Sequence, residues 1–288
     1  MTKTIENWTE WLKNSRFSYM NEIQKEQTLR WLFQVRDKIL DRACLKSGDT
    51  LIDIGTGTGL LAFKAYDFLK DSGKIIASDT SEDCITECKK VAKTCNIIEG
   101  MDFLLSDAAN IKLEENSVDI VVMRSVLVHI LDKISAIKEF YRILKPGGRI
   151  SIFEPIIKSN TKYYQLINPI NFSNYDKLKE VEYKIMTNEN DPITNFDDKS
   201  LVNDFKLAGF KDIDLDLGTE ESNYQVSAGM IEPWFNSPPS PGSLTLKEKF
   251  LKYLDIEEIN DYINKLKSEL DGKSITVKSF SAYISAKK

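Results

Sequence analysis

Histidine is almost absent from this chain. A single one, His129, stands among 288 residues, so any proton transfer through an imidazole rests on that position. Cysteine is scarce as well, with four residues, and the opening MTKTIENWTEW has no apolar core of the signal-peptide kind. Free thiols and a cytoplasmic location are the expectation. No apolar run reaches the roughly 18 residues of a membrane-crossing helix. The nearest, Ile120 to Leu131, is broken by Arg124, so no membrane partner is expected. Positive charge is in deficit: 39 Lys and Arg against 44 Asp and Glu leave a net charge of −5. That balance excludes the basic footprint of a nucleic-acid binder. Internal repeats and low-complexity tracts are missing, which removes solenoids and propellers. What is present is ordinary for a soluble globular protein: 42% apolar and 29% charged residues. The length suits two domain-sized units, or one α/β domain with a cap.

Three of the four tryptophans crowd into residues 1–47, a helical stretch. From Thr50 onward short apolar runs alternate with longer periodic ones. Strands are predicted at Thr50–Ile54, Lys74–Ser78, Asp102–Leu105, Val118–Met123 and Arg149–Phe153, and helices at Leu60–Leu69, Glu82–Thr94 and Lys133–Leu144. That alternation predicts a parallel sheet covered on both faces. Residues 156–195 carry only weak helix signals. A helix over Ser200–Ala208 is followed by a sixth strand over Lys211–Leu217, with Asp212, Asp214 and Asp216 on its solvated face. Half of the prolines fall in EPWFNSPPSPG, residues 232–242, which reads as a loop. An amphipathic helix pair over Leu246–Leu270 and a last strand over Ile275–Ser285 follow. On the helix before the first strand, Leu29, Leu32, Phe33 and Leu40 mark one face with Arg36 in its middle, where a buried charge needs a partner.

The segment LIDIGTGTG, residues 51–59, is the most informative. Strand-forming residues run into Gly55, Gly57 and Gly59, and an apolar helix opens at Leu60. Glycines there let the backbone approach a ligand, and the helix N-terminus offers amide donors. The third glycine comes one residue too early for the dinucleotide fingerprint. The pattern suits a nucleoside with an amino-acid tail better than a pyrophosphate. Asp79, at the end of the second strand, is placed to accept hydrogen bonds from ribose hydroxyls. Asp107 and Ala108 follow the third strand, placed to flank an adenine.

With NSVDIVVMRSVLVHILD (116–132) and EFYRILKPGGRISIFEP (139–155), these elements resemble the class I S-adenosylmethionine-dependent methyltransferases of the quinone and small-molecule type. The resemblance implies an α/β, Rossmann-like, seven-stranded, mostly parallel sheet with its last strand antiparallel and helical cap or lid insertions. It implies an N-terminal helical lid segment over 1–47 and a methyltransferase domain over 48–288, with cap insertions at about 156–195 and 229–272. It implies S-adenosyl-L-methionine as cofactor, contacted by Asp53, Gly55, Thr56, Gly57, Gly59, Asp79, Thr80, Asp107 and Ala108. Arg124, at the carboxyl end of the fourth strand, holds either the methionine carboxylate or a substrate carboxylate, or pairs with Asp132.

His129 lies one residue out of register with the catalytic histidine of plant-type O-methyltransferases, whose slot holds Val128. Its role is left between a base and a structural residue of the cofactor shell. Glu154, ending the fifth strand, is the alternative base or a hydrogen-bonding residue. His129, Glu154 and Arg124 are therefore the catalytic candidates, and Trp11, Tyr19, Tyr163, Tyr164 and Trp234 the candidate pocket walls. Cys84, Cys88 and Cys95 form a packing stripe on one helix face, and no metal is expected. The expected function is methyl transfer to O or N of a small organic metabolite by a monomer or homodimer. A protein or peptide methyltransferase and a non-catalytic S-adenosylmethionine-binding subunit are the alternatives.

Overall fold

Twenty residues of regular pattern, from Thr50 through Leu69, set the architecture: a short strand, a glycine-rich turn and a helix. The structure, a computed structural model, describes residues 7–288 apart from Tyr19, Ile98, Asn171 and the side chain of Asp71. In chain order the elements are α1 (Trp8–Lys13), α2 (Glu22–Ala43), β1 (Thr50–Ile54), α3 (Leu60–Leu69), β2 (Lys74–Asp79), α4 (Glu82–Thr94), β3 (Met101–Leu105) and β4 (Val118–Arg124). There follow α5 (Lys133–Ile143), β5 (Leu144–Pro155), α6 (Tyr175–Met186), α7 (Asp198–Leu207), β6 (Lys211–Gln225), α8 (Ala228–Asn236), α9 (Leu246–Phe250), α10 (Ile256–Leu270) and β7 (Ser274–Lys287).

The seven strands form one sheet in the order β3-β2-β1-β4-β5-β7-β6. β3, β2, β1, β4 and β5 run parallel, and β7 is antiparallel to β5. Residues of β6 and β7 lie together as Asp212 with Lys287, Gly218 with Ser281 and Asn223 with Thr276, one index rising as the other falls, which makes that pair antiparallel too. β1 is central and covered on both faces, which is why Leu51, Ile52 and Ile54 are all buried and the strand does not alternate. α2 packs on β4 and β5, burying Val35, Ile39, Leu40 and Ala43 in one core with Phe153 and Tyr283.

The described residues divide into two compact units. One comprises residues 7–155, 198–218 and 281–288 and holds the parallel strands. The other comprises 156–197 and 219–280. Its core gathers Leu178, Val181 and Ile185 of α6 with Ile231 and Phe235 of α8 and Ile259, Tyr262 and Leu266 of α10. Buried Glu182 pins that unit by accepting the amides of Tyr163 (2.7 Å) and Tyr164 (3.1 Å) and the hydroxyl of Tyr262 (3.0 Å).

Three expectations need correction. Residues 232–236 are helical: α8 runs through Pro233 to Asn236. An internal proline costs about 3 kcal/mol, but Ile231 and Phe235 are fully buried on one face, and each contributes about 1.5–3 kcal/mol. The buried face of α2 is turned from the expected one. Leu29 and Phe33 are exposed, and Arg36 lies beside the core, 2.8 Å from Asp37 and over the Phe33 ring. Cys95 also falls outside the expected stripe, being exposed, whereas Cys84 and Cys88 are buried. The acidic trio of β6 is a solvated face as expected, with Asp212, Asp214 and Asp216 paired to Lys287, Arg42 and Lys38.

Candidate functional site

The glycine loop between β1 and α3 is braced from below by Asp53, which is 1% exposed. Its Oδ2 accepts the Thr56 hydroxyl at 2.7 Å and the Ala62 amide at 3.1 Å, tying the loop to the first turn of α3. Gly55 has φ +64°, and a Cβ there would stand 2.4 Å from Cγ2 of Val126. Only glycine fits. From above, Asp79 joins the loop: Oδ2 accepts the Gly57 amide and Oδ1 the Ser81 amide, both at 2.9 Å. Each carboxylate oxygen has capacity for a further donor. Thr80 beside it is exposed.

Burial pushes the Asp53 carboxyl up to about 7, against the pull of Thr56 and Ala62. An unfolded aspartate ionises near pH 4. The folded chain thus holds a proton that the unfolded chain has released, so this stability is complete below about pH 4 and is lost as pH rises through about 7. Both hydrogen bonds end on one oxygen, which an amide retains. Asp53→Asn is therefore expected to keep the loop and reduce the fall in Tm between about pH 5 and about pH 8. A wild-type slope in the variant would show that Asp53 does not titrate there.

α1 lies across the loop, a placement that aromatic crowding in the sequence did not specify. The Thr9 amide donates to Asp83 of α4 at 2.7 Å, and Lys13 pairs with Glu87 at 2.7 Å. Leu12 Cδ1 sits 2.9 Å from where a Cβ on Gly57 would be. Trp8 meets the His129 ring edge-on at 5.1 Å. An open cleft between α1 and α4 is lined by Glu10, Glu82, Asp83 and Glu87.

The turn after β4 brings the remaining candidates together. Arg124 ends the strand, and its hydrogen bond to Ser125 Oγ is long, at 3.4 Å. Burial lowers its pKa while the carboxylates of Glu154 and Asp53 oppose that shift. Asp132, the partner considered from sequence, instead caps α5 through the amide and hydroxyl of Ser135. Glu154 is fully buried. Its Oε1 accepts the amides of Val126 (2.8 Å) and Leu127 (2.9 Å) and its Oε2 that of Val128 (3.0 Å). Those three amides occupy the carboxylate, while burial pushes its pKa up to about 7. His129 follows in a 3-10 turn over Leu127–His129. Burial first, then the charges of Lys133 and Arg124, bring its pKa down to about 4.

The remaining candidates lie outside that turn. Asp107 is exposed and caps its own turn, accepting the Ala109 amide at 2.7 Å, with Ala108 between them. Trp11 packs edge-on against Trp8. In the other unit Tyr163 stacks on Trp234 at 5.1 Å and Tyr164 meets Tyr175. Tyr19 lies outside the described residues. Among the described residues no cluster of His, Cys, Asp and Glu could hold a metal ion, and no helix is long and apolar enough to cross a membrane. Burial pushes the Cys84 and Cys88 thiols up to about 12, so these are packing groups.

The profile of the ubiE/COQ5 methyltransferase family matches residues 13–220. The ubiquinone/menaquinone biosynthesis C-methyltransferase UbiE of Escherichia coli O1:K1 is 27% identical over 128 residues, 43% of this chain and 51% of that protein. The chain thus spans about half the length of the curated relatives it matches. Among solved structures, phosphoethanolamine N-methyltransferase 2 of Haemonchus contortus, in complex with S-adenosyl-L-methionine, has a TM-score of 0.54 at 18% identity, covering 99% of this chain and 60% of that one. The YcgJ protein of Bacillus subtilis has a TM-score of 0.55 at 14% identity, covering 88% and 98%. The matched profile covers β1 through β5 and the first part of β6, with the glycine loop, Asp79 and the turn after β4. The chain belongs to the ubiE/COQ5 methyltransferase family and has the fold of the class I S-adenosylmethionine-dependent methyltransferases.

Proposed function

We propose that this chain transfers the methyl group of S-adenosyl-L-methionine to O or N of a small organic acceptor. One observation carries the reading: a glycine-only cradle braced by buried Asp53 lies between an aspartate at the end of β2 and an arginine at the end of β4. The donor set fits the cofactor's parts. Asp79 accepts ribose hydroxyls, Arg124 holds the methionyl carboxylate, and Asp107 with Ala108 flanks the adenine. The bound sulfonium supplies an electrophilic methyl group. The protein aligns the acceptor in line with it and excludes water.

Neither candidate base is strong in this chemistry. Glu154 is engaged with three amides, and a pKa of about 4 makes neutral His129 a weak proton acceptor. Alignment is then the larger contribution, worth about 7–11 kcal/mol where acid–base help is worth about 10²–10⁴-fold. His129→Ala is expected to lower turnover by less than about 10²-fold. A folded variant with normal cofactor affinity and a 10³-fold loss would restore His129 as a base.

Labelled S-adenosyl-L-methionine offered with phenols, amines and demethylated quinols tests the reading, and a product methylated only on carbon would overturn the O or N assignment. A basic peptide acceptor is the second reading, favoured by the acidic cleft between α1 and α4. Two of its four carboxylates are already committed, Asp83 to Thr9 and Glu87 to Lys13, which weakens it.

A further inference from the structure

Glu154 enters no step of the proposed reaction, yet it is among the most deeply buried charged residues of the chain. What it holds is specific. Ser125, immediately after β4, has φ +56°, a left-handed conformation in a residue that is not glycine. Such a residue costs about 1–2 kcal/mol and persists only where its surroundings impose it. The imposition is visible on both sides. The Ser125 amide donates to the carbonyl of Phe153 at 2.8 Å, and the next three amides all end on the Glu154 carboxylate. The turn so fixed places Val126 against Gly55 of the glycine loop. It also sets the strand end from which Arg124 extends, and the His129 amide closes it on the carbonyl of Val126 at 2.9 Å.

We infer that Glu154 is a positioning residue: its carboxylate holds the turn after β4 in the shape that seats Val126 on the glycine loop and aims Arg124 at the cofactor. The inference rests on the methyl-transfer reading for the identity of the ligand, but not for the clamp itself. Three converging amide donors match a carboxylate, whose two oxygens together have capacity for about four. An amide cannot satisfy all three. In Glu154→Gln the oxygen replacing Oε1 keeps Val126 and Leu127, while the new NH₂ opposes the Val128 amide, donor against donor.

The test pairs Glu154→Gln with Ser125→Gly, each measured by calorimetry with S-adenosylhomocysteine and by steady-state kinetics. Glu154→Gln is expected to weaken S-adenosylhomocysteine binding by roughly 10- to 30-fold and raise the cofactor KM in step, with kcat within about 3-fold, the size of one hydrogen bond to a charged group. Adding Ser125→Gly is expected to recover most of that affinity, because glycine adopts the left-handed turn without being held there. If Glu154→Gln fails to fold, the double variant carries the same readout, and its failure to fold as well would overturn the inference. A lower Tm with unchanged affinity and KM would reduce Glu154 to a purely structural role. A 10³-fold loss of kcat at unchanged affinity would make it the base. Wild-type protein that binds no S-adenosylhomocysteine would sink the methyl-transfer reading alone. The clamp would then be read from hydrogen exchange at the amides of residues 126–128, slow in the wild type and fast in Glu154→Gln, and equal rates in both would overturn it.

Discussion

Gly55→Ala is expected to weaken S-adenosylhomocysteine binding by about 10²-fold or more while leaving the chain folded. Two costs coincide at this position. An alanine at φ +64° costs about 1–2 kcal/mol in backbone strain. Its methyl group would then lie 2.4 Å from Val126 Cγ2, and relieving such overpacking costs about 1–3 kcal/mol. The chain relieves both by moving the loop away from the turn after β4, which is the surface the cofactor needs. Gly147→Ala is the control. It has φ +77°, but a Cβ there meets nothing within 4 Å, so it bears the strain alone, near the start of β5. Calorimetry on both variants decides the matter: a Gly55→Ala protein binding within about 3-fold of wild type would remove the glycine cradle from the cofactor site.

The second large effect is expected at Asp79. Asp79→Ala should weaken S-adenosylhomocysteine binding by about 1–3 kcal/mol, the cost of removing a charged acceptor from its donors. Part of that loss is indirect, because the same carboxylate fixes Gly57 and Ser81 through opposite oxygens. Asp79→Asn should recover little, since its NH₂ must face one of those two amides. Unchanged affinity in both variants would place the cofactor elsewhere.

The first half of the fold is legible because its signals are local. β1, α3 and α4 have the bounds that apolar period and flanking Gly, Ser and Glu predict, and the glycine loop, Asp53 and the end of β2 lie within thirty residues of one another. What escaped the sequence depends on contacts between distant segments. α8 keeps its proline because Phe235 packs against Phe250 and Tyr262, a reason absent from the residues 232–242 themselves. α2 turns Phe33 outward because Phe153 and Tyr283, more than a hundred residues away, select Val35 and Ile39 instead. Leu12 over Gly57 and Glu154 under Val126 follow no spacing rule at all. For Glu154 the available signal was a carboxylate at the end of an otherwise apolar strand, which marks a buried polar group in need of donors but not which donors.

The strand order has a further consequence, for synthesis. β7 is last of the seven in sequence yet lies between β5 and β6. While a ribosome is still adding residues 226–273, β5 has no neighbour on that side and β6 has none through β7. The nascent chain therefore carries two open strand edges for about fifty residues of elongation, several seconds at about 5–20 residues per second. Open edges recruit other strands. Aggregation during expression should therefore fall with slower initiation, lower temperature or added chaperone, and a shortened chain lacking residues 281–288 should accumulate as inclusion bodies.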